Sequence, residues 1–130
     1  MHVPRDTFFF DNCLSPVLAE GLRTFGEDVQ HLRDSFPADT EDSVWIPEVA
    51  KRGWIVVTRD KRIRSKRAEL DAILKSGLSM FVFVQKRDPD RWGWVELVVR
   101  RWKEIKAFAA AERKPFIGAI PERGVIERLR

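Results

Sequence analysis

Residues 54–64 read WIVVTRDKRIR, a short apolar strand that ends on an acid and runs into positive charge. Trp54, Ile55, Val56 and Val57 are apolar at successive positions and β-branched apart from the tryptophan. That pattern is too short for an independent helix and predicts a strand buried on both faces. Asp60 would then emerge at the carboxyl edge of a sheet, where open α/β folds hold their ligands. Six basic residues fall between Arg59 and Arg67 against that one acid. An ordinary turn with a solvated basic face is the bland alternative. An acid in a basic field otherwise suggests a metal site that handles phosphate.

The strand signal recurs along the chain. Thr7 to Phe10 (TFFF) predicts a first buried strand closed by Asp11-Asn12, and Ser15-Pro16 opens a helix, with Ser15 as N-cap and Pro16 at its first position. Val17, Leu18, Leu22 and Phe25 would form the apolar side of that helix, with Gly26 ending it. Asp28 to Leu32 predicts a short second strand, followed by a polar, carboxylate-rich loop. Pro47 allows the next helix to begin no earlier than about Val44, which puts Glu41 and Asp42 at its N-terminus and turns Trp45 and Val49 to the sheet. Gly53 ends that helix.

Beyond the basic run, Ala68 to Lys75 predicts a helix and Met80 to Val84 a buried strand. Asp88-Pro89 repeats the cap-plus-proline signal for a long helix to about Glu112, with Trp92, Val95, Val99, Trp102, Ile105 and Ala109 as its core face. Phe116 to Ile120 and Val125 to Leu129 would close the chain as a hairpin-like pair. Alternating strands and helices predict an α/β architecture, a mainly parallel sheet flanked by helices in three layers. Right-handed crossovers would place Asp11 and Asp60 on one edge, with Glu41 and Asp42 entering nearby.

Composition narrows the function classes. The 130 residues suit one domain spanning 1–130, and no apolar run approaches the roughly 20 residues of a membrane span. With no signal-peptide layout at the start, a cytoplasmic protein is expected. One cysteine, Cys13, excludes an internal disulfide, and two scattered histidines give no zinc spacing. Any metal should be a hard ion held by carboxylates. The net charge of +4 is modest, but its concentration after Asp60 favours a phosphate-bearing partner.

Gathering three carboxylates on one edge is costly, since two unit charges ~4 Å apart repel by about 4 kcal/mol at an effective dielectric near 20. Mg²⁺ or Mn²⁺ removes that cost, and can activate water and neutralise a phosphodiester. FFFDNCLSPVLAEGLRTFG, then the ED before VWIPEVAKRGWIVVTRDKRIR, resembles the PIN-like domains of VapC-type toxins over roughly the first 85 residues. The closing PFIGAI…GVIERL pair fits that branch more loosely. The resemblance implies a metal-dependent endoribonuclease using Mg²⁺ or Mn²⁺, the toxin of a toxin–antitoxin pair, with an RNA substrate, an antitoxin partner, no membrane and in many members a homodimer.

Carried over by position, the resemblance makes Asp11, Asp42 and Asp60 the catalytic metal ligands. Glu41 or Asp39 stands as an alternative to Asp42, whose place at a helix N-terminus is stabilising by itself. Asn12 stands where related sequences often have Glu, and could orient a water or merely finish the turn. Lys61, Arg62 and Arg64 stand where many PIN domains carry a further acid, so one ion would be held firmly and a second only with substrate. They are the candidates for RNA contact and Arg59 for an ion pair, while Thr58 could hydrogen-bond a carboxylate or a metal-bound water, or serve as a plain strand residue. Trp54 and Trp94 could stack on a base, although burial is the commoner fate of tryptophan. Two rivals remain: a non-catalytic PIN-like module that binds RNA or a partner, and a phosphorylation-receiver domain, whose lysine Lys86 would imitate.

Overall fold

The computed structural model describes residues 5–59, 67–85 and 87–130, with backbone alone at 67–69. Its elements are β1 (Phe8–Phe10), α1 (Pro16–Thr24), β2 (Val29–His31), α2 (Leu32–Ser35), α3 (Asp42–Lys51), β3 (Ile55–Thr58), α4 (Arg67–Lys75), β4 (Ser79–Val84), α5 (Arg91–Ala111), β5 (Ile117–Pro121) and β6 (Glu127–Arg128). The strands form one sheet in the order β2-β1-β3-β4-β5-β6, parallel except for the last pairing. The order reverses between β1 and β3, so a crevice is expected at their carboxyl ends.

Side-chain alternation sorts the sheet into two cores. Phe8, Phe10, Val57, Phe81 and Phe83 pack under α1 and α5, while Phe9, Val56, Met80 and Val82 pack under α3 and α4. The three layers and the mainly parallel sheet are those expected. Because both faces are covered, the central strands are apolar at successive positions, the pattern from which WIVV was read as a strand.

Four local expectations are corrected. First, α3 begins at Asp42, not Val44, so Pro47 lies inside it. The bond that Pro47 cannot make would have gone to the carbonyl of Ser43, an exposed residue whose carbonyl can turn to water. Second, the polar loop after β2 starts with one helical turn, α2. His31 caps it, its Nδ1 accepting from Arg33 N–H at 3.1 Å while Asp34 accepts from His31 N–H at 2.8 Å. Histidine is not a usual cap, so no sequence signal marked it.

Third, the cap of α5 is Asp90 rather than Asp88, with Oδ1 accepting from Gly93 N–H at 2.7 Å. Pro89 stays outside the helix and packs so close that a Cβ on residue 93 would lie 2.7 Å from its own Cβ. Fourth, the core face of α5 is as expected at Trp102, Ile105 and Ala109 but shifted in the first half of the helix. Trp92 and Val99 are 68% and 54% exposed, and the buried stripe runs through Trp94, Val98, Trp102, Ile105 and Ala109. Trp94 against Phe83 and Trp102 against Phe8, with ring centroids at 5.6 and 4.9 Å, select that face. Val17 of α1 and Phe25, which caps its C-terminus, are exposed likewise.

His31 is fully buried, its Nε2–H donating to Leu14 O at 2.8 Å while Nδ1 accepts, so the ring is neutral. Burial pushes its pKa below the usual histidine value, against the opposing pull of Leu14 O and Asp34. On acidification the unfolded chain takes this proton first. Stability from His31 is therefore complete above about pH 6.5 and declines as pH falls towards the lower folded pKa. Urea midpoints should fall between pH 7.5 and 5.5, and His31→Gln should flatten that slope; an unchanged slope would refute the assignment. Glu27, held low mainly by the Lys106 ammonium, belongs to a separate, more acidic window.

Candidate active site at the carboxyl edge of the sheet

Phe10 and Val57 are register partners on adjacent parallel strands, so Asp11 and Thr58 come one residue later, side by side at the point where the strand order reverses. The Thr58 hydroxyl donates to Asp11 Oδ2 at 2.7 Å, and Cys13 N–H donates to Oδ1 at 3.1 Å. Thr58 is fully buried and Asp11 half-buried. The carboxylate is thus held by both oxygens at the rim of the sheet. Of the two roles weighed for Thr58, the structure shows the hydrogen bond to a carboxylate.

Asn12 follows the turn outwards and donates from Nδ2 to Ala38 O at 2.6 Å. This bond fastens the segment leading into α3 against the Asp11 turn. Glu41 and Asp42 then start α3, both exposed. Asp42 Oδ1 accepts from the Trp45 indole N–H at 3.0 Å, and Trp45 is anchored in the core against Phe9. Asp42 is therefore an oriented carboxylate, whereas Glu41 makes no side-chain cap bond. Asp39 is exposed in the preceding loop.

Asp60 and the basic candidates Lys61, Arg62 and Arg64 lie outside the described residues, as does Lys86. Among the described residues no group of three or more His, Cys, Asp or Glu is placed to share an ion. The guanidinium of Arg59 stacks over the Trp94 ring at 4.9 Å, a cation–π contact, and among the described residues it has no ion pair of the kind expected. Trp94 is buried, and Trp54, half-buried, lies near Phe9 and under Arg52. Both indoles are occupied within the protein, as the commoner fate of tryptophan would have it.

A family model described as a PIN like domain matches residues 7–85. The chain belongs to the PIN-like domain family. The matched stretch of this PIN-like domain contains Asp11, Asp42, Thr58 and Asp60, and it ends just past β4. No curated protein and no solved structure matches the chain. PIN domains have a nuclease-type fold, which agrees with a carboxylate fixed at the β1/β3 crevice. The strand order alone would also suit a receiver domain; family membership decides between them.

Sequence reasoning missed two features of this PIN-like domain. An apolar groove of about 690 Å³ runs between α1 and α5, its walls including Val17, Phe25, Val95 and Val99, residues assigned in advance to the core. A polar cleft lies at the ends of β4 and β5. Its side chains come from three separate segments, so no local motif announced it.

Thr58→Val tests the geometry of the edge. Valine keeps the β-branched shape and removes only the donor, so a stability loss of about 1 kcal/mol is expected. Any activity that depends on the Asp11 carboxylate should drop by roughly 10–100-fold, as for other residues that orient a ligand. Chemical denaturation and an RNA cleavage assay check the two effects; unchanged cleavage would show that Thr58 only fills space.

Proposed function

We propose that this PIN-like domain is a metal-dependent endoribonuclease and the toxin half of a toxin–antitoxin pair, acting in the cytoplasm on RNA phosphodiester bonds. The observation that carries the reading is the Thr58–Asp11 hydrogen bond. A buried threonine orients a half-buried carboxylate across two parallel strands at the crevice where α/β folds act. Aligning a carboxylate through a second group is characteristic of ligands that must be held in one orientation.

The donor chemistry fits a hard divalent ion, since Asp11 and Asp42 present carboxylate oxygens oriented by Thr58, Cys13 and Trp45. Asp11, Asp42 and Asp60 would hold Mg²⁺ or Mn²⁺, with Glu41 and Asp39 as alternatives for the middle position. Such an ion, when bound, supplies water activation and neutralises charge on the phosphate. The chain's own residues do the rest. Thr58 fixes Asp11, Asn12 ties down the approach to α3, and Lys61, Arg62 and Arg64 take the RNA phosphates, arginine in bidentate fashion. Toxicity, an antitoxin partner and a homodimer rest on the VapC-type resemblance.

A second reading has its own support. Asp42 Oδ1 already accepts from an indole, and a carboxylate engaged in this way would suit a non-catalytic module that binds RNA or a partner. Asp60→Asn separates the two readings. The endonuclease loses cleavage of RNA while its thermal midpoint stays near wild type, and a binding module has no cleavage to lose. Cleavage retained at the wild-type rate would overturn the role of Asp60. In the cell, growth arrest on expression, relieved by Asp60→Asn, is the outcome expected of a toxin.

A further inference from the structure

The apolar groove between α1 and α5 opens at one end onto the carboxyl edge of the sheet. Asn12 and Cys13, just past Asp11, line that mouth together with Arg59, just past Thr58, and Arg91, the first residue of α5. Thr58 donates to Asp11, so Arg59 follows directly on the residue that orients the candidate ligand. Successive side chains along a strand point to opposite faces. Thr58 shares its face with Val56, over α3, whereas Arg59 continues the face of Val57, over α5. Its contact with Trp94, a member of the α5 core, follows from that alternation.

Two observations make the mouth a phosphate site. The first is the way Arg59 is held. Its guanidinium lies over the Trp94 ring at 4.9 Å, and that ring is itself fixed, buried and edge-on to Phe83 at 5.6 Å. A cation–π contact positions the group without supplying an oxygen acceptor to its N–H donors. Arg23, Arg101 and Arg130, which are also wholly or partly buried, each meet a carboxylate instead. An arginine mounted on an indole is pre-organised for bidentate contact with a phosphate.

The second observation is a second guanidinium at the same opening. Arg91 is exposed at the start of α5 and lines the mouth beside Arg59. Two like charges on one opening favour an anion there. A nucleic-acid strand carries a phosphate on every nucleotide, so a strand bound at Asp11 presents a neighbouring phosphate to the residue that follows Thr58.

We propose that Arg59 and Arg91 clamp the phosphate next to the scissile one, and so lead a single-stranded RNA over the rim of the sheet towards the α1/α5 side. The place relative to the scissile phosphate rests on the endonuclease reading; the clamp as an RNA contact does not.

Fluorescence anisotropy in EDTA, where no cleavage is expected, tests the clamp with a labelled single-stranded RNA of about 12 nucleotides at several salt concentrations. Arg91→Ala, at an exposed position, and Arg59→Gln should each weaken binding by about 10-fold. Each should also lower the slope of log K against log salt by up to about 0.7, the share of one phosphate on a single strand. Arg59→Lys should keep the wild-type slope without the wild-type affinity, since lysine has the charge and lacks the fork. A purely structural Arg59 would lower the thermal midpoint and leave the slope alone. Where Arg59→Gln fails to fold, Arg59→Lys is read in its place, and wild-type affinity is then the contrary result. No RNA binding by the wild type, or unchanged affinity and slope in either folded variant, would overturn the proposal; the latter would leave the mouth to an acidic segment of a protein partner. Cleavage in Mn²⁺ is scored separately. RNA held through both arginines but left intact would keep the clamp and remove the endonuclease, and cleavage at the wild-type rate in both variants would do the reverse.

Discussion

Asp11→Asn is expected to reduce RNA cleavage by more than about 100-fold, beyond the 10–100-fold typical of residues that merely orient a ligand. Asparagine has nearly the same shape, and its amide can exchange roles with its neighbours. The carbonyl oxygen still accepts from Cys13 N–H, and the amide nitrogen can donate to the Thr58 oxygen that previously donated to Oδ2. What disappears is the negative charge and one oxygen lone-pair set, the two properties that a hard cation needs. The variant should therefore fold normally and fail chemically. Single-turnover cleavage beside a thermal melt reads both, and wild-type cleavage by a folded Asp11→Asn would remove Asp11 from the site.

The largest effect on stability is expected from Phe9→Ala. Phe9 is fully buried on β1, between the neighbours β2 and β3, with its ring centroid 5.3 Å from Trp45, 6.0 Å from Trp54 and 6.3 Å from Phe36. Removing a buried phenyl ring costs about 3–5 kcal/mol, a large share of the roughly 5–15 kcal/mol that stabilises a domain. The loss reaches the active edge as well. Trp45 packs on that ring and holds Asp42 through its indole N–H, so the variant should also show weaker metal-dependent activity at temperatures where it remains folded. Denaturant titration checks the first effect. A loss below about 1 kcal/mol would mean that the α3 face of the sheet repacks around the vacancy.

How much of this was legible in the residues depends on how local the signal is. β1, β3 and β4 were visible because strands covered on both faces are apolar throughout, and Ser15-Pro16 marked α1 because a cap and a first-turn proline lie within two residues. The face of α5 was legible in its second half, through Trp102, Ile105 and Ala109, but not in its first. Trp92, Trp94, Val95, Leu97, Val98 and Val99 supply two overlapping apolar stripes, and only the contacts with Phe83 and Phe8 choose between them. The stripe left outside joined Val17 and Phe25 in an open groove. Likewise α2 depends on a histidine whose capping role requires burial beside Leu14.

For the site, right-handed crossovers put Asp11 on the same edge as the end of β3, but its pairing with Thr58 needed the Phe10–Val57 register, which no local sequence signal encodes. The indole partner of Asp42 required knowing which way Trp45 turns at the start of α3, a tertiary fact. The polar cleft at the ends of β4 and β5 needed β4, α5 and the β5–β6 turn in place at once, which no spacing in one segment encodes.

The most direct measurement of the central claim is the RNA cleavage assay of the Asp60→Asn comparison, run on total cellular RNA with Mn²⁺ against EDTA. The protein must be shown to be folded and free of any co-purifying partner. Defined fragments with Mn²⁺, absent with EDTA and absent with Asp60→Asn, are the result predicted by a carboxylate-held metal at the β1/β3 crevice. Intact RNA under every condition would contradict it and transfer the assignment to the non-catalytic module.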